Sequence, residues 1–244
     1  MIGLSEVELE IESLKDLKKT VEEAEKWGVK LVLIGGYAVR AYSKAYRFTK
    51  DIDLVTTKEA SGNLKSLLQY LGYTHQDTEF GVSGSKRFDE GFIDLHISVG
   101  KIFDMSTGLT YPVTDEFFKN AKKLKVTSYH KASEQYACTV PVADLETLLV
   151  LKLIPTGRIR DTIDLLSLLL DRRTEINPVT LLSKISKEAL LSRHLISQLT
   201  TYADSIRKGE VDKLWLNVTG SRFPSTERKE ILGFIKRIVD MSKK

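Results

Sequence analysis

Cysteine is nearly absent: Cys138 stands alone in 244 residues. One thiol excludes an intramolecular disulfide and fits a reducing cytoplasm; it reads as a buried apolar side chain rather than a nucleophile. Histidine is scarce and scattered, at positions 75, 96, 130 and 194, so the Cys/His spacing of a zinc site is missing. No apolar run approaches the ~18 residues that mark a membrane-spanning helix. The N-terminus opens on an acidic amphipathic segment, unlike a signal peptide. These absences predict a cytoplasmic protein with no membrane partner. Internal repeats, low-complexity tracts and linkers longer than a turn are lacking too.

What is present is an ordinary globular composition, 42% apolar and 29% charged, long enough for one large domain or two small ones. The net charge of +4 is unevenly spread. From Val140 onward 18 Lys and Arg stand against 13 Asp and Glu, whereas the first 139 residues hold 19 against 20. A basic C-terminal half attracts nucleic acid, and a solvated surface explains it equally well.

Apolar spacing predicts a packing helix over Glu6–Trp27, stopped by Gly28. Leu31–Ile34 is short, apolar and ended by glycine, which suits a buried strand. Gly35 and Gly36 let the backbone turn sharply and approach a ligand closely. A helix follows over about Tyr37–Ala45, and its first N–H groups are free for an anion. In the next strand, side chains alternate, so Asp51 and Asp53 share one face and Ile52 and Leu54 the other. Two adjacent carboxylates repel unless they are exposed, one is protonated, or a cation lies between them. A hard cation such as Mg²⁺ takes oxygen ligands and commonly binds substrate phosphate as well.

Lys58–Leu71 reads as a helix, Tyr73–Ser85 as short strand-like pieces, and Lys86–Phe88 with Phe92–Val99 as a hairpin turning at Asp89-Glu90-Gly91. The hairpin brings Asp94, opposite in face to Ile93 and Leu95, beside the Asp51 strand. Residues 101–139 are the least legible, with a helix over 114–121 and strands at Leu124–Tyr129 and Tyr136–Val140. Asp144 is positioned to cap a helix from Leu145 to Ile154, Pro155-Thr156-Gly157 breaks it, and another runs from Arg158 to about Leu170. Pro178–Lys187, Glu188–Arg207 and Ser225–Met241 complete a helical C-terminal part extending to Lys244, with breaks at Gly209, Gly220 and Pro224.

Gly35-Gly36, Asp51-x-Asp53 and a third aspartate, Asp94, on an apolar strand together resemble the nucleotidyltransferase superfamily, whose members share a DNA-polymerase-β-like core. The resemblance implies an α+β fold: a mixed-sheet core with flanking helices over 1–140, followed by a helical region over 141–244 packed on it. It implies that Asp51, Asp53 and Asp94 are catalytic and hold one or two Mg²⁺ ions, with Asp94 as metal ligand or as base for the incoming hydroxyl. Gly35 and Gly36 would bind the nucleoside triphosphate, ATP for example. Arg47-x-Thr49-x-Asp51-x-Asp53 is seen in some branches of the superfamily. There Arg47 pairs with phosphate or with a carboxylate of the cluster, and Thr49 bonds a phosphate or orients Asp51.

Lys152, in the otherwise apolar run LLVLKLI, and the block Arg158-x-Arg160-Asp161-x-x-Asp164 resemble a second signature, that of the abortive-infection type IV toxins. A lysine in apolar surroundings needs an anionic partner or a path to water. The resemblance gives Lys152 to the triphosphate and Asp161 to support of the site. The interval from lysine to aspartate is short here, so either Asp161 or Asp164 matches the functional aspartate; capping of a helix N-terminus accounts for Asp161 as well. The implied reaction moves a nucleoside monophosphate to an acceptor hydroxyl, on tRNA or another RNA in toxin-like relatives, with a cognate antitoxin protein as partner. Two other readings stand beside it: transfer to a small molecule or a protein, and a nucleotide- or partner-binding module with an inactive site.

Overall fold

A computed structural model describes residues 4–44, 46–89, 91–129 and 136–243. Ala45, Glu90, His130 and Lys244, which carry parts of the expectations above, lie outside the described residues. The chain divides into two compact units. One comprises Met1–Ala41, Phe48–Phe103 and Thr110–Asp144; the other comprises Tyr42–Arg47, Asp104–Leu109 and Leu145–Lys244.

The first unit contains α1 (Leu4–Lys26), β1 (Val32–Ile34), α2 (Gly35–Tyr42), β2 (Ile52–Thr56), α3 (Ser61–Tyr70), β3 (Thr74–Thr78), β4 (Gly81–Phe88), β5 (Gly91–Val99), β6 (Lys101–Phe103), β7 (Thr110–Pro112), α4 (Asp115–Asn120), β8 (Lys122–Thr127) and β9 (Ala137–Val142). Seven strands form one mixed sheet in the order β3-β4-β5-β2-β1-β9-β8. The β2–β5 and β1–β9 pairs are parallel and the other neighbours antiparallel. The two strands buried on both faces, β1 and most of β2, stand at the centre, as apolar runs should. On β5 the pattern alternates: Ile93, Leu95 and Ile97 are buried, Phe92 and His96 exposed, and Asp94 half-buried. Helix α1 packs on β5 and β9 and α3 on β3 and β4, and Leu14, Leu17, Leu64, Leu67 and Leu68 of these helices are fully buried.

A buried ion pair ties this unit together. Arg40 Nη1 of α2 donates to Glu10 Oε1 of α1 at 2.7 Å and to the Thr127 carbonyl of β8 at 3.2 Å. Glu10 also accepts from the backbone N–H groups of Tyr129, at 2.6 Å, and Thr49, at 3.4 Å. A buried pair is costly to desolvate, and multiple donors to one carboxylate offset that cost while fixing geometry. Here they anchor α1, α2, the end of β8 and the lead-in to β2 to one another.

The second unit contains α5 (Leu145–Leu153), α6 (Ile159–Arg172), α7 (Pro178–Ser183), α8 (Ala189–Lys208), α9 (Glu210–Thr219) and α10 (Ser225–Met241). Helix α5 is apolar nearly all round, which is the signature of a central helix; α6, α7 and α8 surround it. Asn177 caps α7 by accepting from Val179 N at 2.9 Å and Thr180 N at 3.3 Å, with Pro178 in the first helical position. The segment Tyr42–Arg47 is held by α6: Asp171 accepts from Lys44 N at 2.8 Å and from the Tyr46 hydroxyl at 3.0 Å, and Arg172 Nε donates to the Tyr42 carbonyl at 2.5 Å. Among the described residues no helix is long and apolar enough to cross a membrane.

The sequence expectations differ from this architecture in three places. Tyr73–Ser85 forms the regular β3–β4 hairpin rather than fragments. Residues 101–112 hold the two-stranded β6–β7 sheet, which has no alternating stretch long enough to announce it. Between Gly209 and Gly220 lies α9, whose ten residues bury only Val211 and Trp215 and so show little apolar periodicity.

Candidate active site

The turn from β1 into α2 is where the chain's geometry is most constrained. Gly35 adopts φ +72°, and a Cβ placed there would lie 2.0 Å from Oδ2 of Asp53. The Asp53 carboxylate therefore rests directly on the glycine backbone at the start of α2, with Gly36 next in the helix. Gly35→Ala is expected to cost about 1–3 kcal/mol of stability, from left-handed strain and displacement of the carboxylate, and to abolish activity. Gly62→Ala in α3, where an added Cβ meets nothing within 4 Å, is the control. Thermal melts and transfer assays on the two variants check the difference.

The sheet register gathers the other carboxylates. Asp53 is paired with Ile34 of β1 on one side and His96 of β5 on the other. Asp53 and Asp94 lie on the face opposite Ile52, Leu54, Ile93 and Leu95, on neighbouring strands about 4.8 Å apart. Asp51, expected within the strand, is the residue just before β2, which begins at Ile52 beside Leu95 of β5. Thr49 precedes the aspartates, its N–H donating to Glu10. Among the described residues no three His, Cys, Asp or Glu side chains converge closely enough to hold an ion by themselves. The expected cluster is thus a face of carboxylates rather than a closed three-ligand cage. Its all-oxygen donor set fits Mg²⁺, which is commonly held by one or two carboxylates and completed by water and phosphate.

The second signature forms a buried network inside the helical unit. Lys152 Nζ of α5 lies 2.7 Å from Asp161 Oδ1 and 2.7 Å from Asp164 Oδ2, both on α6. Asp161 and Asp164 both pair with the lysine. Arg47 grips Asp164 bidentately, Nε to Oδ1 at 2.6 Å and Nη2 to Oδ2 at 2.7 Å. Arg158 adds a contact to Asp104 at 3.1 Å. Asp104 in turn accepts from the N–H groups of Ser106 and Thr107 at 3.0 Å each; its place in the network was not anticipated, and the Asp-x-Ser-Thr turn sequence was the available signal.

Burial alone would lower the Lys152 pKa, but Asp164 and Asp161 outweigh it and hold the ammonium above its ordinary 10.5. Burial likewise favours a neutral Asp164, and Lys152 and Arg47 overcome it, holding the carboxyl below 3.8. The stability Asp164 contributes is present above its unfolded pKa and lost as pH falls through the depressed folded value. That of Lys152 is present below its unfolded pKa and lost as pH rises through the raised one. The network therefore stabilises fully across neutral pH and weakens at both extremes.

Of the residues singled out in sequence, Gly35, Gly36, Thr49, Asp51, Asp53 and Asp94 belong to the sheet unit. Arg47, Lys152, Asp161 and Asp164 belong to the helical unit.

A family profile described as nucleotidyl transferase AbiEii toxin, type IV TA system, matches residues 20–240, and the chain is accordingly a nucleotidyltransferase. Within that class it belongs to the AbiEii toxin family of type IV toxin–antitoxin systems. No curated protein matches the chain in sequence. Among solved structures, JHP933 from Helicobacter pylori is similar over 97% of this chain and 93% of its own, with a TM-score of 0.56 and 13% identity, a likeness of fold alone. The lincomycin-bound lincosamide antibiotic adenylyltransferase LnuA matches over 63% of this chain and 94% of its own, at 21% identity and a TM-score of 0.42. The antibiotic-resistance factor ANT(2'')-Ia matches over 96% of this chain and 97% of its own, at 12% identity and a TM-score of 0.40.

Proposed function

We propose that the chain transfers a nucleoside monophosphate from a nucleoside triphosphate, with Mg²⁺, to a hydroxyl of an RNA acceptor, tRNA being the first candidate. One observation carries the reading: Asp53 and Asp94 share a sheet face, Asp51 immediately precedes β2, and Asp53 is seated on the glycine turn that opens α2. Asp51 and Asp53 would hold the ion, which when bound supplies positive charge to the phosphate oxygens. The N–H groups at the start of α2 bind phosphate. The acceptor oxygen attacks the α-phosphorus, the bond from that phosphorus to the β-phosphate oxygen breaks, Asp94 takes the hydroxyl proton, and pyrophosphate leaves. In the helical unit, Asp161 and Asp164 hold Lys152 in one orientation, and Lys152 carries the cation that the second signature assigns to triphosphate.

The test is transfer of labelled nucleotide, each triphosphate in turn with Mg²⁺, into total RNA. Label in a tRNA-sized band is the expected result. Pyrophosphate released only with small-molecule or protein acceptors would discard the RNA acceptor. No release with any acceptor pool would discard the transfer reading in favour of a binding module.

A further inference from the structure

The carboxylate face continues into an exposed aromatic. Phe92 is 52% exposed and lies two residues before Asp94 on the same face of β5, about 7 Å along the strand. Across the β4–β5 ladder Arg87 stands opposite Phe92, Ser85 opposite Asp94 and Ser83 opposite His96. The Arg87 guanidinium carbon is 6.0 Å from the Phe92 ring centroid. From the other side Lys50, the residue before Asp51, donates its Nζ to the Phe92 carbonyl at 2.7 Å. A lone aromatic on a surface is ordinary. This one is flanked by two cations and is continuous with the carboxylates proposed to react.

An open ring beside cations is the chemistry that binds single-stranded nucleic acid: the base stacks on the ring, and the cations take the phosphates. The cations also have a necessary task here, because Asp51 and Asp94 repel a polyanion approaching them. We propose that Phe92, Arg87 and Lys50 form the acceptor platform. An unpaired base at an RNA 3′ end stacks on Phe92, its phosphates pair with Arg87 and Lys50, and its terminal hydroxyl is presented at Asp94. The platform rests on the reading of Asp51, Asp53 and Asp94 as the reacting centre, and it specifies an unpaired end rather than a duplex.

The test is binding, without nucleoside triphosphate, of a hairpin RNA whose unpaired 3′ end carries fluorescent 2-aminopurine. Wild type is expected to quench the fluorophore and to prefer this RNA over a blunt hairpin. Phe92→Ala and Phe92→Leu should each weaken binding about tenfold and lose the quench, while Phe92→Trp keeps both. Arg87→Gln should shallow the slope of log affinity against log salt by about 0.7, one phosphate contact. In transfer assays Phe92→Leu should raise KM for RNA about tenfold without moving KM for the triphosphate. Wild-type quenching and preference for Phe92→Leu, or equal wild-type affinity for the blunt hairpin, would overturn the platform. If wild type stacks the RNA end but transfers nothing, Phe92 stands as an RNA-binding site, and the transfer reading falls together with the acceptor role. If wild type transfers to RNA while Phe92→Leu keeps its binding and KM, the transfer reading stands and the platform falls.

Discussion

Asp53→Asn should lower nucleotide transfer by about three orders of magnitude while leaving the fold intact. The substitution is isosteric, so the side chain still fits against Gly35, where the carboxylate now rests. What it removes is one negative charge from the face shared with Asp94. If Asp53 holds the proposed ion, which in turn neutralises the phosphates, that loss forfeits several kcal/mol of transition-state stabilisation, at about 1.4 kcal/mol for each tenfold in rate. The folded chain loses no packing volume, so its melting temperature should hold. Steady-state transfer, thermal melts and growth after induction check the three consequences together. For a member of a toxin family, induced wild type should arrest growth and Asp53→Asn should not. A variant that transfers at the wild-type rate would remove Asp53 from the chemistry. A variant that is inactive but melts far lower would make its role structural.

That carboxylate face was readable in sequence because a strand's period of two is rigid. Once Ile52 and Leu54 are inside, Asp53 has no choice of side, and the same holds for Asp94 between Ile93 and Leu95; Asp51 falls just before the strand begins. The glycine turn was readable for a similar reason, since only a residue without Cβ fits at φ +72° against Asp53. Lys152 announced a need for anions by its apolar neighbours. The identity of those anions depends on how α6 lies on α5, which spacing alone does not give: both Asp161 and Asp164 pair with the lysine. The partner of Arg47 was beyond reach, because 117 residues of sequence separate it from Asp164.

The parts of the fold that stayed hidden share a cause. The hairpin β3–β4 has an exposed outer strand, whose run Thr74–Thr78 carries almost no apolar signal, and β6 and β7 are three residues each. Such strands are specified by their partners rather than by their own pattern. The Glu10–Arg40 pair was equally silent: an acidic residue in an amphipathic helix reads as solvated until the structure shows it fully buried.

Lys152→Met should destabilise the helical unit by about 3–5 kcal/mol at neutral pH, the usual cost of leaving a buried charge without its partner. Methionine retains most of the lysine's volume, so packing changes little and the loss is electrostatic. Asp164 keeps its bidentate Arg47, whereas among the described residues Asp161 keeps the cation of Arg158 at 4.0 Å, so Asp161 becomes the weak point of the network. Lys152→Met/Asp161→Asn should therefore recover a large share of the loss, and a double-mutant cycle gives the coupling directly. The pH dependence has a definite sign. Burial works against the Asp164 charge; with the lysine gone, one of the two cations that overcome it is lost and Arg47 remains. The lysine's share of the stability is present above the unfolded pKa of Asp164 and is lost as pH falls through its depressed folded value, so the penalty of the substitution shrinks on acidification. Wild type loses stability there because its depressed Asp164 loses its contribution. Trp215, 1% exposed in α9, reports the helical unit by fluorescence once Trp27 of the other unit is replaced by phenylalanine. Denaturation curves at several pH values in that background should converge for wild type and Lys152→Met at the acid end. Parallel curves would mean that the lysine stabilises the unit through its methylenes rather than its charge.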